Sequence, residues 1–108
     1  MTATAAPLDK LNPIIHQPTR LRIMAALVSL GEGDKADFTF LRDLLHLTDG
    51  NLSAHLRVLE DAGYVVVEKT FVGRQPKTWI WVTREGRDAF AAHVDALEAI
   101  LGQARAPA

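Results

Sequence analysis

A chain of 108 residues, 48% apolar and 23% charged, is sized for one domain around one modest core. It has no cysteine, which excludes disulfides, thiolate metal sites and a cysteine nucleophile. No apolar run approaches the ~20 residues of a membrane span, and the N-terminal MTATAAPLDK lacks the basic and apolar regions of a secretory signal, so the expected location is the cytoplasm.

Residues 1–7 read as a disordered lead and residues 8–104 as a single domain. In LDKLNPIIH, Leu8, Leu11, Ile14 and Ile15 fall at helical spacing, but Pro13 limits them to a short or broken helix. PTRLRIMAALVSLG is a stronger helix. Pro18 opens it, Leu21, Met24, Ala25, Leu27 and Val28 form its apolar face, and Gly31 ends it. GEGDKAD reads as a polar loop. In FTFLRDLLHL, Thr39 is the expected cap of a short helix that turns Leu41, Leu44 and Leu45 inward. The next helix, TDGNLSAHLRVLEDAG, is capped by Thr48 or Asp49 and ended by Gly63. Its buried stripe is Leu52, Leu56 and Leu59, with His55 at the edge and Gly50, Asn51, Ser53, Ala54 and Arg57 opposite. YVVVEKTF and KTWIWV are β-branched and aromatic, and with the VGRQP turn between them they predict a hairpin. Thr83 caps a last helix with the stripe Phe90, Val94, Leu97 and Leu101.

The formal net charge of −1 gives no overall pull toward nucleic acid, but the charges are unevenly placed. Residues 69–84 carry Lys69, Arg74, Lys77 and Arg84 and no acid, whereas Glu85, Asp88, Asp95 and Glu98 follow. Two short helices joined by a tight polar turn, then a hairpin with a basic tip, describe a winged helix-turn-helix: mainly α, with a small β-hairpin wing. The second helix of the pair would enter a major groove of DNA and the hairpin would be the wing.

From Phe38 to Leu101 the chain resembles the small stand-alone winged-helix regulators related to the MarR and ArsR families. LRDLLHLTDGNLSAHLRVLEDAGYVVVEK and GRQPKTWIWVTREGRDAF carry the resemblance. It implies a cytoplasmic, homodimeric transcription factor on a pseudo-palindromic site, with the first and last helices building the dimer. Leu11, Ile15, Phe90, Val94, Leu97 and Leu101 are the candidate interface residues. Two departures stand out. The stretch before the reading helix, LRDLLHL, lacks the cysteine pair common in ArsR-type metal sensors, and Trp79 and Trp81 stand where such wings usually carry smaller or polar residues.

Arg57 has the reach to contact a guanine edge from the exposed face of the reading helix, against a bland reading as a solvated arginine. Asn51 and Ser53 could meet bases or phosphates, or serve only the turn; Ala54 shares their face. Arg74 at the wing tip and Lys77 beside it are candidates for backbone or minor-groove contact. His16, His46, His55 and His93 could in principle bind metal. His93, however, lies five residues from both Asp88 and Glu98, about 140° away around a helix, so no metal or other cofactor is expected. Trp79 and Trp81, spaced as on one face of a strand, could pack under the first helix or a dimer partner, line an effector pocket, or lie on the DNA backbone; packing is preferred, because exposed indoles form a patch monomers seldom tolerate. With no glycine-rich phosphate loop and no motif around Ser29 or Ser53, the chain is not read as an enzyme.

The expected function is therefore a sequence-specific regulator that binds double-stranded DNA as a homodimer and represses by blocking a promoter. A winged-helix protein-interaction module without DNA, or a regulator with a small-molecule pocket near the last helix, are the rival readings.

Overall fold

The computed structural model describes residues 10–105. The disordered lead expected over residues 1–7, and Leu8, lie outside the described residues. The elements in chain order are α1 (Pro13–His16), α2 (Pro18–Ser29), β1 (Ala36–Asp37), α3 (Phe38–Leu44), α4 (Asp49–Asp61), β2 (Val65–Val72), β3 (Gln75–Val82) and α5 (Arg84–Arg105). The protein is mostly helical, with a three-stranded antiparallel sheet in the order β1-β3-β2.

Pro13 starts α1 rather than breaking it. The Asn12 side-chain oxygen accepts from the Ile14 and Ile15 amides, and proline at the first helical position lacks only an N–H that would have had no partner. α2 begins in the same way, with Pro18 following a Gln17 cap. Its buried residues are Ile23, Met24 and Leu27, while Ala25, expected inside, is exposed.

Three local expectations change around the first strand. Within the GEGDKAD stretch, Ala36 and Asp37 pair with Ile80 and Trp79 of β3. The cap of α3 is Asp37, whose carboxylate accepts from the Phe40 amide at 3.3 Å, and not Thr39. Leu41 and Leu45 are buried as expected, but Leu44, although it falls at the same helical spacing, is 52% exposed at the end of α3. The turn into α4 places His46 at φ 56°, and the Leu47 amide reaches back to the Arg42 carbonyl at 3.0 Å, as in a Schellman ending.

α4 follows its sequence pattern: Thr48 accepts from the Asn51 amide, and Leu52, Leu56 and Leu59 are buried. They meet Ile15, Ile23, Met24, Leu27, Leu41, Val65 and Ile80 in one core. Alternation along the hairpin gives it two faces. Val65, Val67, Ile80 and Val82 look toward the helices, whereas Val66, Glu68, Trp79 and Trp81 occupy the outer face. Gly73 lies at φ 63° in the two-residue turn, the positive φ at the first central position of a type II′ hairpin.

Thr83 begins α5. Its hydroxyl accepts from the Gly86 amide at 2.9 Å and donates to the Gly63 carbonyl at 2.7 Å. The helix docks so closely there that a Cβ on Gly86 would overlap the Tyr64 carbonyl. The buried residues of α5 are Gly86, His93 and Ala96. The expected stripe lies to one side of them: Phe90, Val94 and Leu97 are partly buried and Leu101 is 49% exposed. Ile15, by contrast, is fully buried in the chain's own core. The interface role expected of it is withdrawn, since a four-residue helix with one apolar face spends that face on the core.

A buried polar node ties α1, the α4–β2 corner and α5 together. The Asn12 amide donates to Nδ1 of the fully buried His93 at 2.9 Å, and the Asn12 side chain donates to the Tyr64 hydroxyl at 2.8 Å. His16 stands edge-on to His93, ring centres 5.4 Å apart. Burial, and then the neighbouring His16, hold the His93 pKa below the ordinary histidine value.

Candidate nucleic-acid interface

Burying Leu52, Leu56 and Leu59 leaves the opposite face of α4 in solvent, and Asn51, Ser53, Ala54 and Arg57 are all exposed there. Ser53 and Arg57 form one wall of a groove of about 370 Å³. The inner face of the hairpin, through Val67, Lys69 and Thr78, forms the other, and Phe38, Asp49, Leu56 and Glu60 complete it. Arg74 stands exposed at the tip of the hairpin, beyond the groove. Asn51 and Ala54 lie outside the groove, on the same exposed side of α4. The Asn51 amide serves the Thr48 cap.

One acid at the start of α4 would oppose a polyanion. Asp49 is held by Arg42, whose guanidinium also meets Asp43, at 2.8 and 2.9 Å respectively. Hydrogen bonds to Asp43 and then Asp49 raise the Arg42 pKa above its already high ordinary value, so the charge that offsets Asp49 is permanent. The same arginine bridges α3 to α4 and fixes the turn between them.

A family model described as a winged helix DNA-binding domain matches residues 19–101. The chain belongs to the winged helix DNA-binding domain family. It is 37% identical over 81 residues to an uncharacterized protein of Methanocaldococcus jannaschii, covering 75% of this chain and 85% of that one. Among solved structures it is similar to a transcriptional regulator homologue from Pyrococcus horikoshii OT3, with 31% identity, a TM-score of 0.84, and 94% of this chain and 100% of that chain covered. The fold is also that of CouR, a transcriptional repressor solved on a 23-mer DNA duplex, at 19% identity and a TM-score of 0.70 over 93% of this chain and 70% of that one. MarR-family and arsenical-resistance regulators share it as well.

In this winged helix the two cationic candidates beside the turn separate. Lys77 is on the outer face of the sheet, its ammonium 3.7 Å from Asp37 and 5.3 Å from the centre of the Trp79 ring. It faces away from the groove, and Lys69, which sequence reading passed over as a site residue, lines the groove instead. The signal was available: Lys69 shares its parity along the strand with Val65 and Val67, and Lys77 shares its parity with Trp79 and Trp81.

The tryptophans do not sit under the first helix. They are partly buried on the outer sheet face, and neither is among the residues packed against the core. Lys35 lies 4.3 Å over the Trp81 ring and 3.8 Å from Glu68, while Lys77 covers Trp79. Each such cation–π contact is worth about 0.5–1 kcal/mol at exposed sites. The lysine stems also shade the rings from water, so an apolar patch becomes a charged surface.

The histidines are scattered. His55 Nδ1 stands 3.3 Å from an Arg20 guanidinium nitrogen, and burial followed by the Arg20 charge lowers its pKa. Among the described residues no group of three or more His, Asp or Glu is placed to hold a metal ion, and no helix is long and apolar enough to cross a membrane. Near the start of α5 a cavity of about 420 Å³ is lined by Glu32, Val82, Arg84, Arg87 and Asp88. Its lining is mostly charged, unlike the predominantly apolar pockets that hold small molecules.

Proposed function

We propose that the protein is a sequence-specific transcriptional regulator that binds double-stranded DNA as a homodimer on a pseudo-palindromic site, and represses by occupying the promoter. The observation that carries this reading is the groove between α4 and the wing, where Ser53 and Arg57 face Lys69 across a gap whose hairpin side has no acid from residue 69 to residue 84. α4 would enter the major groove by its N-terminal half, where Asn51, Ser53, Ala54 and Arg57 are exposed and Asp49 is neutralised by Arg42. Glu60, which also lines the groove, would repel the phosphates there and hold the C-terminal half of α4 back from the duplex. Arg57 reads a base edge and Arg74 positions the wing on the backbone or minor groove.

Dimerisation is supported by the stripe along α5. Val94 and Leu97 are partly buried and Leu101 is 49% exposed. Leu11 is partly buried, so part of its side chain is available to a partner. Two α4 helices set about 34 Å apart by such a dimer would meet successive major grooves. The work would be cytoplasmic and would need neither a cofactor nor catalysis.

The test is a random-pool duplex selection with the purified protein, repeated with Arg57→Ala and Arg74→Ala. Enrichment of an inverted repeat is expected. Arg57→Ala should relax one base position in each half-site, at a cost of roughly 1–3 kcal/mol. Arg74→Ala should weaken every sequence and spare the core motif. No enrichment above an unselected pool would end the proposal; a motif that survives Arg57→Ala unchanged would exchange the roles of helix and wing.

A further inference from the structure

At the tip of the wing two large apolar side chains stand in solvent: Phe71 is 72% exposed and Val72 is 59% exposed. They flank the Gly73–Arg74 turn, and neither packs against the core. A phenyl ring in water is a standing cost unless a partner removes it, and its position suggests which partner does. Lys69 pairs with Thr78 across the hairpin, both on the groove side; two residues further on, Phe71 pairs with Pro76 on that same side. The Phe71–Pro76 pair therefore continues the wall of the groove beyond Lys69 toward the tip. A duplex seated against α4 would meet that wall where it passes from the major to the adjoining minor groove. The approach is cationic, with Lys69 behind the ring and Arg74 beyond it, and no acid lies between residues 69 and 84.

We infer that Phe71, backed by Pro76, is a minor-groove wedge: it packs against the sugar edges flanking each half-site and partly opens one base step. The inference rests on the DNA-binding reading above and adds to it a residue that reads DNA deformability. A minor groove is narrow and its walls are largely deoxyribose C–H, so an apolar ring on the strand end beside a two-residue turn fits chemically where a charge alone would not. Arg74 beside it is drawn by the groove's negative potential. Pyrimidine–purine steps unstack most readily, so the wedge makes the protein favour TA or CA/TG in the flanks, outside the bases that Arg57 reads.

The test uses the full chain on its selected duplex, labelled at both ends for energy transfer, with wild type, Phe71→Ala, Phe71→Leu and Arg74→Ala compared. Phe71 is largely exposed, so Phe71→Ala should melt as wild type does, which is checked first. Wild type is expected to shorten the end-to-end distance. Phe71→Ala should abolish the shortening, weaken binding roughly tenfold and erase the flanking-step preference, leaving the salt dependence unchanged because no charge is lost. Phe71→Leu should keep part of the bend, and Arg74→Ala should reduce the salt slope. A Phe71→Ala protein that binds and bends like wild type overturns the wedge while leaving the DNA-binding reading intact. So does a loss of affinity accompanied by a reduced salt slope, which would make the ring a prop for the wing's cations. A wild type that selects no duplex removes both readings together.

Discussion

Lys69 and Lys77 lie eight residues apart on the two strands of the wing, and the structure separates what each can do. Lys69 is exposed on the wall of the groove and takes part in none of the ion pairs among the described residues. Lys77 is on the opposite face, 3.7 Å from Asp37. Each phosphate contact adds about 0.9 to the slope of log affinity against log salt. Lys69→Ala should therefore lower the slope by about 0.9. Over a fourfold rise in salt that is roughly a 3.5-fold smaller loss of affinity than wild type suffers. Lys77→Ala should leave slope and affinity near wild type. Its cost falls on the fold, as one surface ion pair and one cation–π contact worth together about 0.5–2 kcal/mol. Fluorescence anisotropy on a fixed duplex from 50 to 200 mM salt measures the slopes, and urea melts measure the stability. If Lys77→Ala flattens the salt dependence and Lys69→Ala does not, the duplex does not lie between α4 and the inner face of the hairpin.

Gly86→Ala should destabilise by about 1–3 kcal/mol in a denaturant titration, because the added methyl meets the Tyr64 carbonyl and α5 must shift away from its Thr83 cap; unchanged stability would mean that the α5 junction is loose. Burial lowers the pKa of His93 and of His55, so the folded state binds fewer protons than the unfolded state as pH falls below about 6.5. Stability should be full well above that value and decline as pH falls through about 6.5 toward pH 5, with His93→Gln flattening the decline; a midpoint temperature constant over that range would count against the buried neutral ring. Leu97→Glu should yield a monomer by light scattering and weaken binding to the paired site, whereas a wild type that is monomeric at micromolar concentration would remove the α5 interface.

The parts of the fold legible in the sequence are those where local pattern and tertiary demand agree. Leu52, Leu56 and Leu59 recur at helical spacing between a threonine cap and a glycine, and α4 forms there with those residues inside. The hairpin is legible because β-branched residues flank a glycine-containing turn. β1 was not, since two residues carry no period and pair only because Ile80 and Trp79 wait beside them. Leu41, Leu44 and Leu45 share the i, i+3, i+4 spacing of one helical face, yet Leu44 is 52% exposed: spacing names the face and not how far the core extends along it. On α5 the buried residues are not the bulky stripe but Gly86, His93 and Ala96, where small size and a buried imidazole let the helix approach closely. At the site, Ser53 and Arg57 follow from the face of α4. Lys77 was favoured for its nearness to the turn, although strand parity places it with the tryptophans.

That placement also explains how a chain of net charge −1 can present a cationic surface. The ion pairs among the described residues are Lys35–Glu68, Arg42–Asp43, Arg42–Asp49 and Lys77–Asp37. They neutralise Glu68 and Asp37 on the outer sheet face and Asp49 at the mouth of α4. Four of the remaining acids, Glu85, Asp88, Asp95 and Glu98, ride on α5. Arg57, Lys69 and Arg74 take part in none of these pairs. Arg57 on the reading helix and Lys69 on the wing line the same groove, and Arg74 is exposed at the wing tip. Whole-chain charge averages this polarity away; a polyanion brought within about a Debye length, some 8–10 Å at ordinary ionic strength, would respond to the face in front of it.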